Sequence, residues 1–381
     1  MTPHATDLQA RSKNVRYLPG VDHLRGVAAL YIVVYHGAQQ LRGSVGAAQL
    51  FPEAQHPGSA VLIEGHTAVS LFMVLSGFIL TFGADRRDVQ YRGFITNRVL
   101  RVVPMYVLVL LIAAFTSPGD FSLGEFLPFV FMLATPPFPA ADMGVWSAVL
   151  WSVSVEFAFY LVFPFLLRFL QRYGVRYLLG LVLLLNALRL MASATNPDTV
   201  RDLSYWTIVG RLDQFLLGMA AAWVLRRGWV RWRATGWATL AVGAGVALAC
   251  ALWAFNRNGS FFGNDRWRAV WPLVEGALWA GVVIGWVAAM EGRASRWVRR
   301  AAIPGVVSYS VYLLHYPVVA AVRERGWGDS VGDALLLTFG VVVPVVAVLA
   351  TLAYLVVERP FMEMRVRYLS GGATGEGSAS T

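Results

Sequence analysis

The chain has 381 residues, 57% hydrophobic and 14% charged, with a formal net charge of +10. This balance excludes a soluble globular domain and points to a polytopic, all-α membrane protein. The positive charge falls in alternate loops, which suits a membrane protein's cytoplasmic face and not nucleic acid, and the single cysteine, Cys250, excludes an intrachain disulfide and a multi-cysteine metal site.

Apolar runs predict about ten transmembrane helices, near 19–39, 60–82, 98–116, 145–168, 177–193, 204–225, 234–255, 269–290, 304–322 and 333–357. No small-residue cleavage signal follows the first run, so it reads as a retained span. The stretch 122–138 is apolar but short and ends in Pro136-Pro137; it reads as re-entrant or interfacial. One set of loops carries Lys13 and Arg16, Arg86 and Arg87, Arg172 and Arg176, Arg226 to Arg233, Arg293 to Arg300, and Arg359 to Arg367. The opposite set is sparser: Arg42, Arg189, Arg201, Arg257, Arg266, Arg268, Arg323 and Arg325. The bias places both termini in the cytoplasm. A cytoplasmic segment 1–17 precedes a membrane domain over 18–362, and 363–381 forms a cytoplasmic tail whose Gly/Ser-rich end predicts disorder. No internal repeat of the kind that builds many transporters is evident.

The first span carries Arg25 and, eleven residues later, His36. The helical rise separates them by about 16 Å, a fixed charge near one membrane face and a titratable base in the apolar layer. Ionisable groups at such depth are costly and mark function by default, and histidine exchanges a proton near neutral pH. The second span ends in Phe72-Met73-Val74-Leu75-Ser76-Gly77-Phe78. The third opens with Arg98 and Arg101, which share a helix face and can join Arg25 at the cytoplasmic mouth of a cavity. Arginines at a span end also serve as snorkelling anchors, but a cluster of this kind suits phosphate, for which guanidinium is the preferred planar donor. The fourth span carries Trp146, Trp151, Ser152, Glu156 and Tyr160. Glu156 must pair or be protonated; it is either a structural partner for Arg211 or, sharing a face with Ser152, a cavity residue. Arg211 and Asp213 in the sixth span diverge on a helix and are not expected to pair. His315 lies in the middle of the ninth span, and Glu358-Arg359-Pro360 reads as the cap and turn closing the tenth.

Together these segments resemble the acyltransferase 3 family of integral-membrane O-acyltransferases across roughly residues 18 to 362. The family's Arg-x10-His pattern matches Arg25 and His36, and its Phe-Phe-x-x-Ser-Gly-Phe pattern matches Phe72 to Phe78 with Met73 in place of the second Phe. Its Arg-x-x-Arg matches Arg98 and Arg101; Trp-Ser-x-x-x-Glu-x-x-Phe-Tyr matches Trp151 to Tyr160. Ser-Tyr-x-x-Tyr-x-x-His-x-Pro and Glu-Arg-Pro match Ser308 to Pro317 and Glu358 to Pro360.

The resemblance implies transfer of an acyl group, often acetyl, from cytoplasmic acyl-CoA to a hydroxyl of a cell-envelope or secreted glycan, or of a small natural product. It also implies a bacterial cytoplasmic membrane. A hydroxyl needs a base in contact, and His36 is the candidate, with Glu156 orienting its imidazole. His36 can equally accept the acyl group and relay it. Arg25, Arg98, Arg101 and Ser76 are the expected donor-binding residues; Ser152, Arg211, Asp213 and His315 are the expected acceptor-binding residues. No metal ligand spacing is present, so no metal is expected. The alternative is a proton-coupled transporter or flippase for a glycan or lipid, with Glu156, Arg211, Asp213 and His315 as a proton relay.

Overall fold

The computed structural model describes residues 13–41, 52–116, 123–133, 147–260, 263, 265–293, 295–325 and 330–370. It is a bundle of helices: α1 (Pro19–Gln40), α2 (Pro57–Ile63), α3 (Thr67–Ala84), α4 (Tyr91–Thr116), α5 (Leu123–Val130) and α6 (Ser147–Tyr173). There follow α7 (Val175–Thr195), α8 (Val200–Trp206), α9 (Ile208–Arg227), α10 (Ala234–Arg257), α11 (Trp271–Met290), α12 (Arg296–Ala301), α13 (Ile303–Val306) and α14 (Ser308–Arg323). The last rod comprises α15 (Val331–Leu337), α16 (Val343–Ala353) and α17 (Arg359–Glu363), joined by π-helical turns at Thr338–Val342 and Tyr354–Glu358. One short antiparallel pairing joins β1 (Asp88–Val89) to β2 (Leu369–Ser370).

Among the described residues, eight helices are long and apolar enough to cross a membrane, and nine if α12–α13 and α14, bent by 51°, count as one span. The α1 helix has sufficient length at 22 residues but carries Asp22, His23, Arg25 and His36 and is not among those nine, whereas the sequence reading of ten includes it. The Asn14 side-chain amide donates to the Val366 carbonyl at 2.9 Å, so the two ends of the described chain touch. Leu111, Phe115, Leu183, Met191, Val242 and Val356 are exposed along the helices, as lipid-facing side chains must be.

Local sequence accounts for several boundaries. Pro19 opens α1, where its missing N–H costs nothing. The predicted span 204–225 is broken: α8 ends at Trp206, and Thr207 caps α9 by accepting from the Gly210 amide at 3.0 Å. Gly228, at φ 62°, ends α9 in the left-handed conformation. Helices α3 and α9 cross with their backbones in contact. A Cβ on Gly77 would strike the Phe215 carbonyl, and one on Gly218 would strike that of Val74.

Two expectations need correcting. Arg189 is not a loop residue; it lies inside α7, fully buried, and donates to Asp213 at 2.6 Å. The Glu358 motif does not close the last span, because the rod runs on to Glu363. Within 122–138, α5 is a single short helix; Pro136-Pro137, Trp146, Arg42 and the end of the tail lie outside the described residues.

Candidate active site

A cavity of about 590 Å³ opens among α1, α3, α4, α6, α14 and the last rod, within the range of small-molecule sites. Its lining is arginine-rich: Arg16, Arg25, Arg98, Arg101, Arg299 and Arg365. Helical spacing explains part of this. Arg98 and Arg101 are three apart on α4 and both face inward, as the sequence suggests. Arg101 donates to Glu358 at 2.6 Å, whereas Arg98 has no carboxylate within 4.0 Å among the described residues. The Arg98 guanidinium instead lies 5.5 Å from the centroids of both Phe94 and Tyr160, and its Nε is buried without a hydrogen-bond partner. A guanidinium at a cavity wall that leaves donor capacity unused is prepared for an anion.

The acidic wall of the cavity is Glu156. Ser76 donates to it at 2.6 Å and Tyr160, one turn further along α6, at 2.5 Å. Sequence reasoning placed Ser76 and Glu156 in the site but assigned Glu156 the wrong partner. It neither orients His36 nor pairs with Arg211. Towards the interior the cavity reaches Val69, Phe72 and Tyr312, the last two with rings 5.9 Å apart.

The partner of His36 is His315. Nδ1 of His36 lies 2.8 Å from Nε2 of His315, with the rings stacked at 5.1 Å and 12°. The other nitrogen of His315, Nδ1, lies 2.7 Å from the Tyr312 carbonyl. A carbonyl only accepts, so His315 Nδ1 carries the hydrogen and Nε2 carries a lone pair. His36 Nδ1 must then donate to that lone pair, which leaves Nε2 of His36 with its own lone pair available. The hydrogen-bond chain thus assigns both tautomers. His315 is fully buried and His36 only partly. Tyr312 joins dyad to cavity: its ring lines the cavity, lies 5.8 Å from that of His315, and its hydroxyl pairs with Ser152 at 2.7 Å. Ser152 therefore touches Tyr312 and does not itself line the cavity.

Arg211 and Asp213 lie elsewhere. They do not pair with each other: Asp213 is held by Arg189 at 2.6 Å, and Arg211 donates to Ser70 at 2.8 Å beside Glu275. Both are buried and neither lines the cavity. Glu156, Arg211, Asp213 and His315 thus belong to four separate hydrogen-bonded groups and do not form one relay. Sequence reasoning missed Glu358, Tyr312, Arg299 and Arg365. The signal for Glu358 was present, a lone carboxylate directly after the apolar run Tyr354 to Val357.

An acyltransferase domain model matches residues 18–357, most of the chain. The protein belongs to the acyltransferase 3 family. Acyltransferase MdmB of Streptomyces mycarofaciens is 27% identical over 91% of this chain and 92% of its own length. The exopolysaccharide production protein ExoZ of Rhizobium meliloti is 29% identical over 86% of this chain and 98% of its own length. A putative O-acetyltransferase of Staphylococcus aureus is 22% identical over 94% of this chain, which covers 59% of that protein. No solved structure matches. The chain is therefore a multi-pass membrane acyltransferase, and the arginine-lined cavity and the histidine dyad are its candidate active site.

Proposed function

We propose that the protein transfers an acyl group, acetyl in the simplest case, from cytoplasmic acyl-CoA to a hydroxyl of a cell-envelope or secreted glycan. The observation that carries this reading is that one helix, α1, contributes Arg25 to the cationic cavity and His36 to the dyad. The arginines suit the phosphates of the donor, with Arg98 as the guanidinium holding unused donor capacity. Nε2 of His36 accepts the proton of the acceptor hydroxyl, the oxygen attacks the thioester carbonyl, and the carbon–sulfur bond breaks. The departing thiolate then takes the proton back from His36, which resets the dyad. The alternative order, in which Nε2 first takes the acyl group, uses the same lone pair. His315 fixes that lone pair's position without touching substrate. Acceptor chemistry draws on the relatives, one of which is named for exopolysaccharide production; a small natural product is the other acceptor class.

Purified protein given acetyl-CoA and an envelope-glycan acceptor should release free thiol only when the acceptor is present. Movement of glycan across a vesicle membrane with no thiol release would establish the transporter reading instead. The arginine-rich loops support a cytoplasmic donor side. Single cysteines at Ser59 and Arg87, which flank α3, test this in a Cys250→Ala background, since Cys250 is itself exposed. An impermeant thiol reagent on intact cells should label position 59 and spare position 87. The reverse pattern would put the cavity on a face without acyl-CoA and end this mechanism.

A further inference from the structure

The last rod ends at Glu363, yet the chain continues as an ordered strap over 364–370. Two asparagines grip it. Asn97, fully buried in α4, donates to the Val366 carbonyl at 2.7 Å and accepts from the Val366 amide at 2.8 Å, as a neighbouring strand would. Asn14 donates to the same carbonyl at 2.9 Å and accepts from the Tyr368 amide at 2.8 Å. The Gln90 amide donates to the Tyr368 carbonyl at 2.9 Å, and Asp88–Val89 pairs with Leu369–Ser370. Tyr368 itself is buried, its ring 5.4 Å from that of Phe94. Burying two carboxamides is favourable only when their bonds are made, so the strap and its clamps specify each other.

From this strap one side chain, Arg365, lines the cavity, while Arg367 two residues on is exposed. Asn14 likewise lies two residues before Arg16, another lining arginine. The lining holds six arginines (Arg16, Arg25, Arg98, Arg101, Arg299, Arg365) against two carboxylates, Asp22 and Glu156. Glu358 neutralises Arg101 from behind, and among the described residues the lining arginines still outnumber the carboxylates. Burial, then the charges of Arg101 and Arg98, pull Arg365 down to about 10, so it remains cationic at neutral pH. Clustered guanidinium groups repel one another and attract an anionic ligand. Arg16 and Arg365 both lie outside the stretch 18–357 that the family model describes.

We propose that residues 364–370 are a donor-binding strap, clamped by Asn14 and Asn97 so that Arg365, together with Arg16, holds phosphate groups of the acyl-CoA. This rests on the donor assigned above and adds to it a binding residue and the device that positions it. The test uses the full chain in detergent, with coenzyme A as the titrant in calorimetry and thermal unfolding as the check on folding. Arg365→Gln should weaken binding about ten- to a hundredfold, as loss of a charge-assisted hydrogen bond does, and Arg365→Lys should restore part of it. Arg367→Gln should bind as the unsubstituted protein does. Asn97→Ala should weaken binding with Arg365 intact, and adding Arg365→Gln to it should cost little more, since the two act as one unit. Additive losses would show that Asn97 acts independently of Arg365 and would overturn the clamp. Wild-type affinity in Arg365→Gln would overturn the strap's role alone. Failure of the unsubstituted protein to bind coenzyme A would overturn the donor assignment, and the strap's role with it.

Discussion

Ser70 and Ser76 sit six residues apart on α3, and each donates to a glutamate from another helix at 2.6 Å. The surroundings then diverge. Around Ser70, Glu275 meets Arg211 at 3.6 Å and Gln214 at 3.2 Å, and the Arg211 guanidinium covers the Tyr205 ring at 4.2 Å. All of these groups except Tyr205 are essentially inaccessible. Around Ser76, Glu156 faces a cavity lined by arginines that outnumber the carboxylates. The first cluster pairs its charges in a closed interior, although Nη2 of Arg211 and Oε1 of Glu275 each lack a hydrogen-bond partner, whereas the second has arginines in excess among the described residues and space beside them. A buried charge inside a membrane protein therefore does not by itself mark a site; an incomplete set of partners around a cavity does.

The largest expected effect is at the dyad. His36→Ala should abolish transfer, leaving less than about a hundredth of wild-type turnover, with insertion and thermal midpoint unchanged. A variant retaining a tenth of turnover would remove His36 from the role of base. His315→Phe keeps the ring stack but removes the acceptor for His36 Nδ1. It should lower kcat by about a hundredfold and leave KM nearly fixed, because the residue acts through His36 and not on substrate. Equal losses in donor affinity would place His315 in binding instead.

The next two predictions set the clusters directly against each other. Arg211→Ala strands a buried carboxylate in the closed cluster and should cost about 3–5 kcal/mol of stability, read as a lowered unfolding midpoint or lost folded protein. Arg98→Ala in the open cluster should leave the midpoint in place and weaken acyl-CoA binding by about 1.5–3 kcal/mol in calorimetry. If Arg98→Ala unfolds the protein and Arg211→Ala only weakens donor binding, the contrast drawn above is inverted. Arg101→Ala should do both in part, since Arg101 lines the cavity and also neutralises Glu358.

The spans were readable because an apolar run of about twenty residues has few alternatives to crossing the membrane. The expected 234–255 and 269–290 correspond to Ala234–Arg257 and Trp271–Met290. The break before Ile208 was harder to see, since neither Gly nor Pro marks it and only the Thr207 cap signals it. Arg189 counts among the loop arginines in the sequence although it falls within the apolar run 177–193, and its partner, Asp213, stands 24 positions later in another helix. Glu358 reads as a cap in the sequence because Pro360 follows; Pro360 instead occupies an opening position of α17, where its missing N–H does no harm. Which residues share the site is a matter of packing: 279 positions separate His36 from His315, and no periodicity links them. Motif and spacing located Arg25, Arg98, Arg101, Ser76 and Glu156 around one cavity, but they could not choose the partner of His36.

The crossing of α3 and α9 bears on how the chain is assembled. Gly77 meets the backbone of Phe215 and Gly218 that of Val74 and Phe78, and the two helices are made far apart in time as the polypeptide emerges. Until α9 enters the bilayer, Ser70 has no Arg211 to accept from and α3 exposes a bare glycine groove. An insertion intermediate that stalls before α9 should therefore be the point at which membrane quality control recognises an unfinished molecule. A bulkier residue at either glycine would hold the two helices apart.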